Sequence, residues 1–175
     1  MTFSIVAKCT ETGQLGMAVS SSSPAVAARC AHAKAGVGVV GSQNITDPRL
    51  GPKTLLAMAE GRSAPEAVKM IINAAENADF RQVLAVDATG NAAIYSGSKS
   101  LDIHADFASQ NAAAAGNLLA NSNIPKAMVT AFHKGTGHLG DRLIDAMRVA
   151  LALGGEAGAL HSAGLLLVGE QEWPM

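Results

Sequence analysis

Apolar and polar positions begin to alternate almost at the first residue. Residues 2–9 (TFSIVAKC) read as a strand, Gly13 supplies a turn within TETGQ, and 15–21 (LGMAVSS) returns as the partner strand of a hairpin. The stretch 24–35 (PAVAARCAHAKA) is Ala-rich like a helix, yet short and opened by Pro24, so its type stays open. Segment 36–42 (GVGVVGS) predicts a buried strand whose glycines admit a close neighbour. A helix over 51–60 ends at Gly61, and Ser63 with Glu66 forms a capping box for a second helix over 64–75. QVLAVD (82–87) and NAAIYS (91–96), joined by a turn at Ala88–Gly90, predict another hairpin. Residues 98–123, rich in Gly, Ala and Asn, show no clear period. Helices over 125–134, with Pro125 in the first turn, and 138–153, closed by Gly154 and Gly155, precede a buried strand at 162–168 (SAGLLLV).

No repeat and no linker interrupts this order, which predicts one domain over 1–175. Paired strands grouped apart from paired helices favour an α/β fold of α+β type, with two antiparallel sheets between helical layers, over a βαβ wind. A chain of 175 residues buries roughly 70% of its unfolded surface, enough for a core without staples. With 49% apolar and only 15% charged residues, some surface is expected to be hidden in a homo-oligomer.

Charge and motifs remove several function classes. A net charge of -1, no basic run, one Trp and one Tyr speak against nucleic acid. No stretch approaches the ~18 apolar residues of a membrane span, and 3–7 (FSIVA) is too short for a signal peptide, so a cytoplasmic protein without membrane partners is expected. Cys9 and Cys30, without CxxC spacing, fit a reducing compartment and read as structural thiols. The glycine runs at Gly36, Gly38, Gly41 and at Gly135, Gly137, Gly140 match GxGxxG, but neither follows a strand and opens a helix, so no dinucleotide cofactor is expected. His32, His104, His133, His138 and His161 form no tight ligand pair, so no metal is expected either. Ser96 and Lys99 match SxxK but lie in a Gly/Ser turn, where they share no helix face.

Thr2 is different. A threonine hydroxyl needs a base, and the α-amine of the same residue, with a pKa of about 7.7–8.0, can take its proton directly or through one water. That requires removal of Met1, which a small second residue permits, and a rigid terminus, which a strand starting at Thr2 provides. The plain alternative is an ordinary strand threonine.

The opening TFSIVAKCTETGQLGMAVSSSSP resembles the start of N-terminal-nucleophile (Ntn) hydrolases such as proteasome β-subunits. More specifically, the chain resembles a bacterial domain-of-unknown-function family, the one numbered ten twenty-eight, classed among candidate Ntn hydrolases. The matching pieces are TFSIVA, AGVGVVGSQN (residues 35–44), LGPKTLLAMAEGRSAPEAV (50–68), FRQVLAVDATGNAAIYSG (80–97), Gly116–Asn117 and SAGLLLV, in order over nearly the whole chain. Two departures stand out. Where the family has GGD-x-RG-x-QSA, this chain reads GGEAGALHSA (154–163), with Glu156 and His161 near the altered places. Relatives also continue beyond Trp173–Pro174 with a further strand and tail, which this chain is expected to lack through truncation or processing.

The resemblance implies a four-layer αββα sandwich and hydrolysis of a small amide or peptide-like substrate through an acyl-enzyme on Thr2. Thr2, Asn117 and Ser20 make the candidate catalytic set, Ser20 orienting the amine from the end of the second strand. Gln43, Asn44 and Arg81 make the candidate substrate-binding set. Asn117, Gln43 and Asn44 are amides able to hold an oxyanion, and each reads equally well as a turn-former. Arg81 suits a substrate carboxylate or a structural acid such as Asp79 or Asp87. The competing expectation is a catalytically silent, oligomeric binding or scaffold protein of the same fold.

Overall fold

The computed structural model describes residues 2–171 and residue 173. Met1 and the end of the chain at 174–175, on which expectations about processing and length rest, lie outside the described residues.

The first hairpin pairs β1 (Thr2–Lys8) with β2 (Leu15–Ser21), matching Phe3 with Ser20 and Lys8 with Leu15. The ambiguous segment divides into α1 (Ala27–Cys30) and β3 (Ala31–Lys34). Next come β4 (Gly38–Asn44), α2 (Leu50–Ala59) and α3 (Ala64–Asn73). The Glu66 carboxylate accepts the Ser63 backbone N–H at 2.9 Å, as a capping box requires. A hairpin of β5 (Arg81–Asp87) and β6 (Ala92–Ser96) follows. The region without a clear period holds two strands, β7 (Ala105–Ser109) and β8 (Ala112–Asn117). The chain then forms α4 (Ile124–Lys134), α5 (Leu139–Ala152) and β9 (Ser162–Val168).

The strands make two antiparallel sheets, one ordered β7-β8-β1-β2-β9 and the other β3-β4-β5-β6. Period-2 pleating sorts β1 onto two faces. Phe3, Ile5 and Ala7 pack outward against Ile124, Met128, Phe132 and Leu143 of α4 and α5. Val6 packs inward with Met17, Val39, Leu84 and Ala113 between the sheets. On the far side, Val40, Val83 and Ala85 meet Leu50, Leu55, Val68 and Ile72 of α2 and α3. Both faces of β1 are therefore covered, which explains its continuous apolar run, and the layers read α–β–β–α. The sheets approach closely because residues such as Gly41 carry no side chain: a Cβ there would stand 2.6 Å from Cδ2 of Leu84, its neighbour in the same sheet, and 3.0 Å from Met17 Cε of the facing sheet.

Candidate functional site

The inward positions change character at one end of the sandwich. On β1, Val6 gives way to Ser4 and then Thr2; on β5, Leu84 gives way to Gln82. On β8, Ala115 gives way to Asn117. Ser4, Gln43, Gln82 and Asn117 are all fully buried, and Thr2 is only 5% exposed. Buried polar groups on this scale must satisfy one another, and here they do so around Gln82.

The direction of the network follows from one backbone atom. The Gly116 carbonyl can only accept, so the Gln82 side-chain nitrogen must face it, at 3.1 Å. The same nitrogen donates to Ser96 Oγ at 3.1 Å, whose hydroxyl passes on to Asp106 at 2.6 Å. The Gln82 side-chain oxygen then accepts from Gln43 Nε2 at 3.1 Å and from Asn117 Nδ2 at 2.9 Å. Gln43 in turn presents its oxygen to Ser4 Oγ, which donates at 2.6 Å. Two strands of each sheet are thus locked together by amides, and Asn117 keeps its Oδ1 buried without a hydrogen-bond partner.

Thr2 stands at the edge of this network. It pairs with Asn117 across β1 and β8, and Thr2 Oγ1 lies 3.2 Å from Ser21 Oγ. Ser21 Oγ also accepts from the Ser23 N–H at 3.0 Å, which fixes its position as β2 ends. The expected orienting residue, Ser20, lies opposite Phe3, one step along the strand, so pleating sends it to the other face. There Ser20 Oγ donates to the Ser162 carbonyl at 3.3 Å. Ser21 takes the place beside Thr2 expected of Ser20.

The remaining candidates divide. Gln43 lies inside the amide network, with both ends of its side chain in use. Asn44 turns away: with φ 72° it sits in left-handed backbone, donates to the Phe80 carbonyl at 2.6 Å and accepts from the Leu101 N–H at 3.3 Å. Those contacts hold three segments together as a turn-former does. Arg81 donates through a terminal guanidinium nitrogen to the Ile45 carbonyl and leaves Nε buried without a partner. Asp87 is structural, its carboxylate accepting from the Ala64 N–H at the start of α3 (2.9 Å) and from Thr89 and Asn91. Ser96 and Lys99 do not meet, because Lys99 pairs with Asp79 at 3.4 Å. Cys30 is buried, and burial pushes its thiol up, away from nucleophilic character.

Besides Ser4 and Ser21, two more residues of this region were not among the candidates. Gln82, the hub, is a lone polar residue at an inward position of an otherwise apolar strand, and that position was its signal. Glu156 lies in the altered GGEAGALHSA stretch. It forms an antiparallel bridge with Leu119, two residues beyond Asn117. Glu156 is 6% exposed, and neither carboxyl oxygen makes a hydrogen bond of normal geometry. Burial pushes its carboxyl up, with nearby Ser22 partly opposing.

A cavity of about 550 Å³ opens on the other face of β1. Phe3, Ile144, Met147, Leu151, Leu160 and Leu165 contribute to its wall, on the outward side of β1. Among the described residues, no group of His, Cys, Asp or Glu is arranged to hold a metal ion, and no helix is long and apolar enough to cross a membrane.

The crystal structure of protein SPO2555 from Silicibacter pomeroyi, described as a DUF1028 protein, is similar to this chain with a TM-score of 0.91 at 30% identity. The similarity covers 99% of this chain and 78% of that one. A comparison with curated proteins gave no match. A family model described as a family of unknown function, DUF1028, matches residues 2–175. The chain belongs to the DUF1028 family.

Proposed function

We propose that this protein is an N-terminal-nucleophile amidohydrolase that cleaves a small amide or peptide-like bond through an acyl-enzyme on Thr2. The observation that carries the reading is the position of Thr2. Its hydroxyl is held at the start of a strand paired on both sides, between two sheets, beside a polar layer that borders an apolar core.

With Met1 removed, the Thr2 α-amine takes the hydroxyl proton as Oγ bonds to the amide carbon, and the carbonyl π pair moves onto oxygen. The Asn117 side-chain nitrogen has two hydrogens and gives one to Gln82, so the other is available to that oxyanion. The ammonium then protonates the leaving nitrogen as the C–N bond breaks. Water, activated by the same amine, releases the acyl group from Oγ.

Intact mass and covalent trapping test this. A β-lactone or epoxyketone should modify Thr2 in protein lacking Met1, and Thr2→Ala should abolish both labelling and amide hydrolysis, a loss of about 10³-fold or more. Labelling that survives Thr2→Ala would move the reaction to another residue.

A second reading is a catalytically silent, oligomeric binding protein of the same fold. It is favoured by the apolar cavity wall, where Leu151 and Leu165 are 48% and 41% exposed beside the unpaired edge of β9. Retention of Met1 on the purified protein would favour it. In either reading, two free cysteines suit a reducing, cytoplasmic setting.

A further inference from the structure

Two buried acceptor groups at the Thr2 end of the sandwich make no hydrogen bond of normal geometry: Asn117 Oδ1 and the carboxyl of Glu156, which Ser22 approaches but satisfies only in part. Leaving such groups unpaired is costly, and more so when one is charged. Their places are fixed from several directions. Asn117 is the direct register partner of Thr2 on β8. Glu156 is bridged to Leu119 just beyond it, and its neighbour Gly155 lies against the Phe3 ring, where a Cβ would come within 3.6 Å. From the other side, Ser22, next to Glu156, directly follows Ser21, the hydroxyl partner of Thr2. The two orphan acceptors therefore flank the start of β1. Among the described residues no side-chain cation forms an ion pair with either: Arg148 pairs with Asp145 at 2.8 Å, Arg81 reaches Ile45, and His161, near enough to favour the Glu156 carboxylate, is bonded to the Ser22 carbonyl at 2.7 Å.

We infer that Glu156 is a positioning residue for the free terminus: when Met1 is removed, its carboxylate, together with Asn117 Oδ1, receives the new Thr2 α-ammonium. An ammonium brings three donors and one positive charge, which matches two starved acceptors, one of them a carboxylate. The inference rests on the reading of Thr2 as an N-terminal nucleophile and extends it. It gives Glu156 a task beside the amine like that of the acid behind a catalytic imidazole: it orients the base and stabilises the cation formed when the hydroxyl proton arrives.

The test is the α-amine pKa of protein beginning at Thr2, followed by NMR on ¹⁵N-threonine-labelled protein or by the pH dependence of terminal acylation. A carboxylate within a few ångströms raises an amine by roughly one unit or more. Glu156→Gln should therefore lower the Thr2 amine pKa by about that much and shift the rising limb of the hydrolysis profile to lower pH by the same amount. Glu156→Asp should restore most of the shift, which a merely structural residue would not do. Gln is isosteric and removes a buried charge, so the fold should survive, as a melting curve checks.

An unchanged amine pKa in Glu156→Gln overturns the assignment, even if a β-lactone still acylates Thr2 and leaves the hydrolase reading standing. A lowered amine pKa without acylation of Thr2 would keep Glu156 as the partner of the terminus and sink the hydrolase reading instead. Met1 found uncleaved on the native protein would overturn both.

Discussion

The space between the two sheets has two ends, built from the same strands with the same pleat. At one end Val6, Met17, Val39, Leu84, Val86 and Ala113 form a dry core in which every contact is apolar. At the other end, two or four residues along each strand, stand Thr2 and Ser4, Ser21, Gln43, Gln82 and Asn117, and packing there is directed by hydrogen bonds. The switch occurs at one level across strands of both sheets. A single buried glutamine would be a local accident, satisfied by its nearest carbonyl. A polar layer crossing both sheets at the level of the first residue of β1 means the fold gives up hydrophobic burial for oriented hydrogen-bonding groups, which the proposed reaction at Thr2 would use. The dry end supplies rigidity, and the wet end is held to that rigidity by amides whose direction a backbone carbonyl dictates.

The largest effect should come from breaking the hub. Gln82→Leu would extend the dry core by one layer, yet it strands the Gly116 carbonyl, the side-chain nitrogens of Gln43 and Asn117, and the link to Ser96. With each orphaned group costing about 1–3 kcal/mol and some relaxation, a loss of roughly 3–5 kcal/mol is expected in urea unfolding. Stability equal to the parent protein would mean that the two ends differ in composition only. A smaller effect is expected at the margin. Ser4→Ala removes one donor and leaves the Gln43 oxygen without its 2.6 Å partner, for about 1–2 kcal/mol. Adding Gln43→Leu should not recover that loss, because Gln43 also donates to Gln82. A double-mutant cycle on Ser4 and Gln43 measures the coupling directly.

Much of the dry end could be read from the sequence, because period and apolarity carry the same message there. LGMAVSS, QVLAVD and SAGLLLV each landed on a strand, and the four long helices fell where caps and glycines placed them. β8 was missed for a physical reason. Four successive alanines have little strand propensity of their own, and they form a strand because β7 and β1 pair with them on either side. The wet end was legible only in part. Thr2 and Asn117 were placed by pattern, and the structure brings them side by side. Ser20 and Ser21 could not be told apart without the register of the first hairpin, since one step along a strand changes the face. Glu156 was noticed as a departure from the family's stretch, but its burial against Leu119 depends on a loop that returns from α5, which no local period encodes.

The smallest effect is the most discriminating, because its sign depends on which terminus the protein carries. Consider chains that retain Met1. There burial, only partly opposed by the amino end, Ser22 and His161, holds the Glu156 carboxyl above the usual 4.5. A carboxyl raised in the folded state favours folding while it stays protonated, and that contribution is lost as pH climbs from 4.5 through the folded value. Glu156→Gln removes the penalty, so the variant should melt a few degrees above its parent at pH 8, with the gap closing as pH falls below 4.5. In chains that begin at Thr2, the new ammonium meets the ionised carboxylate, and the same substitution then removes an attractive pair. The melting difference at pH 8 should therefore reverse, with the parent the more stable protein. Both forms can be made from one fusion, cut to leave either Met1 or Thr2 in front, and compared in the same buffer. A gap of the same sign in both would mean that the wet end does not sense the terminus, leaving the two ends of the interior distinguished by hydrogen bonding alone.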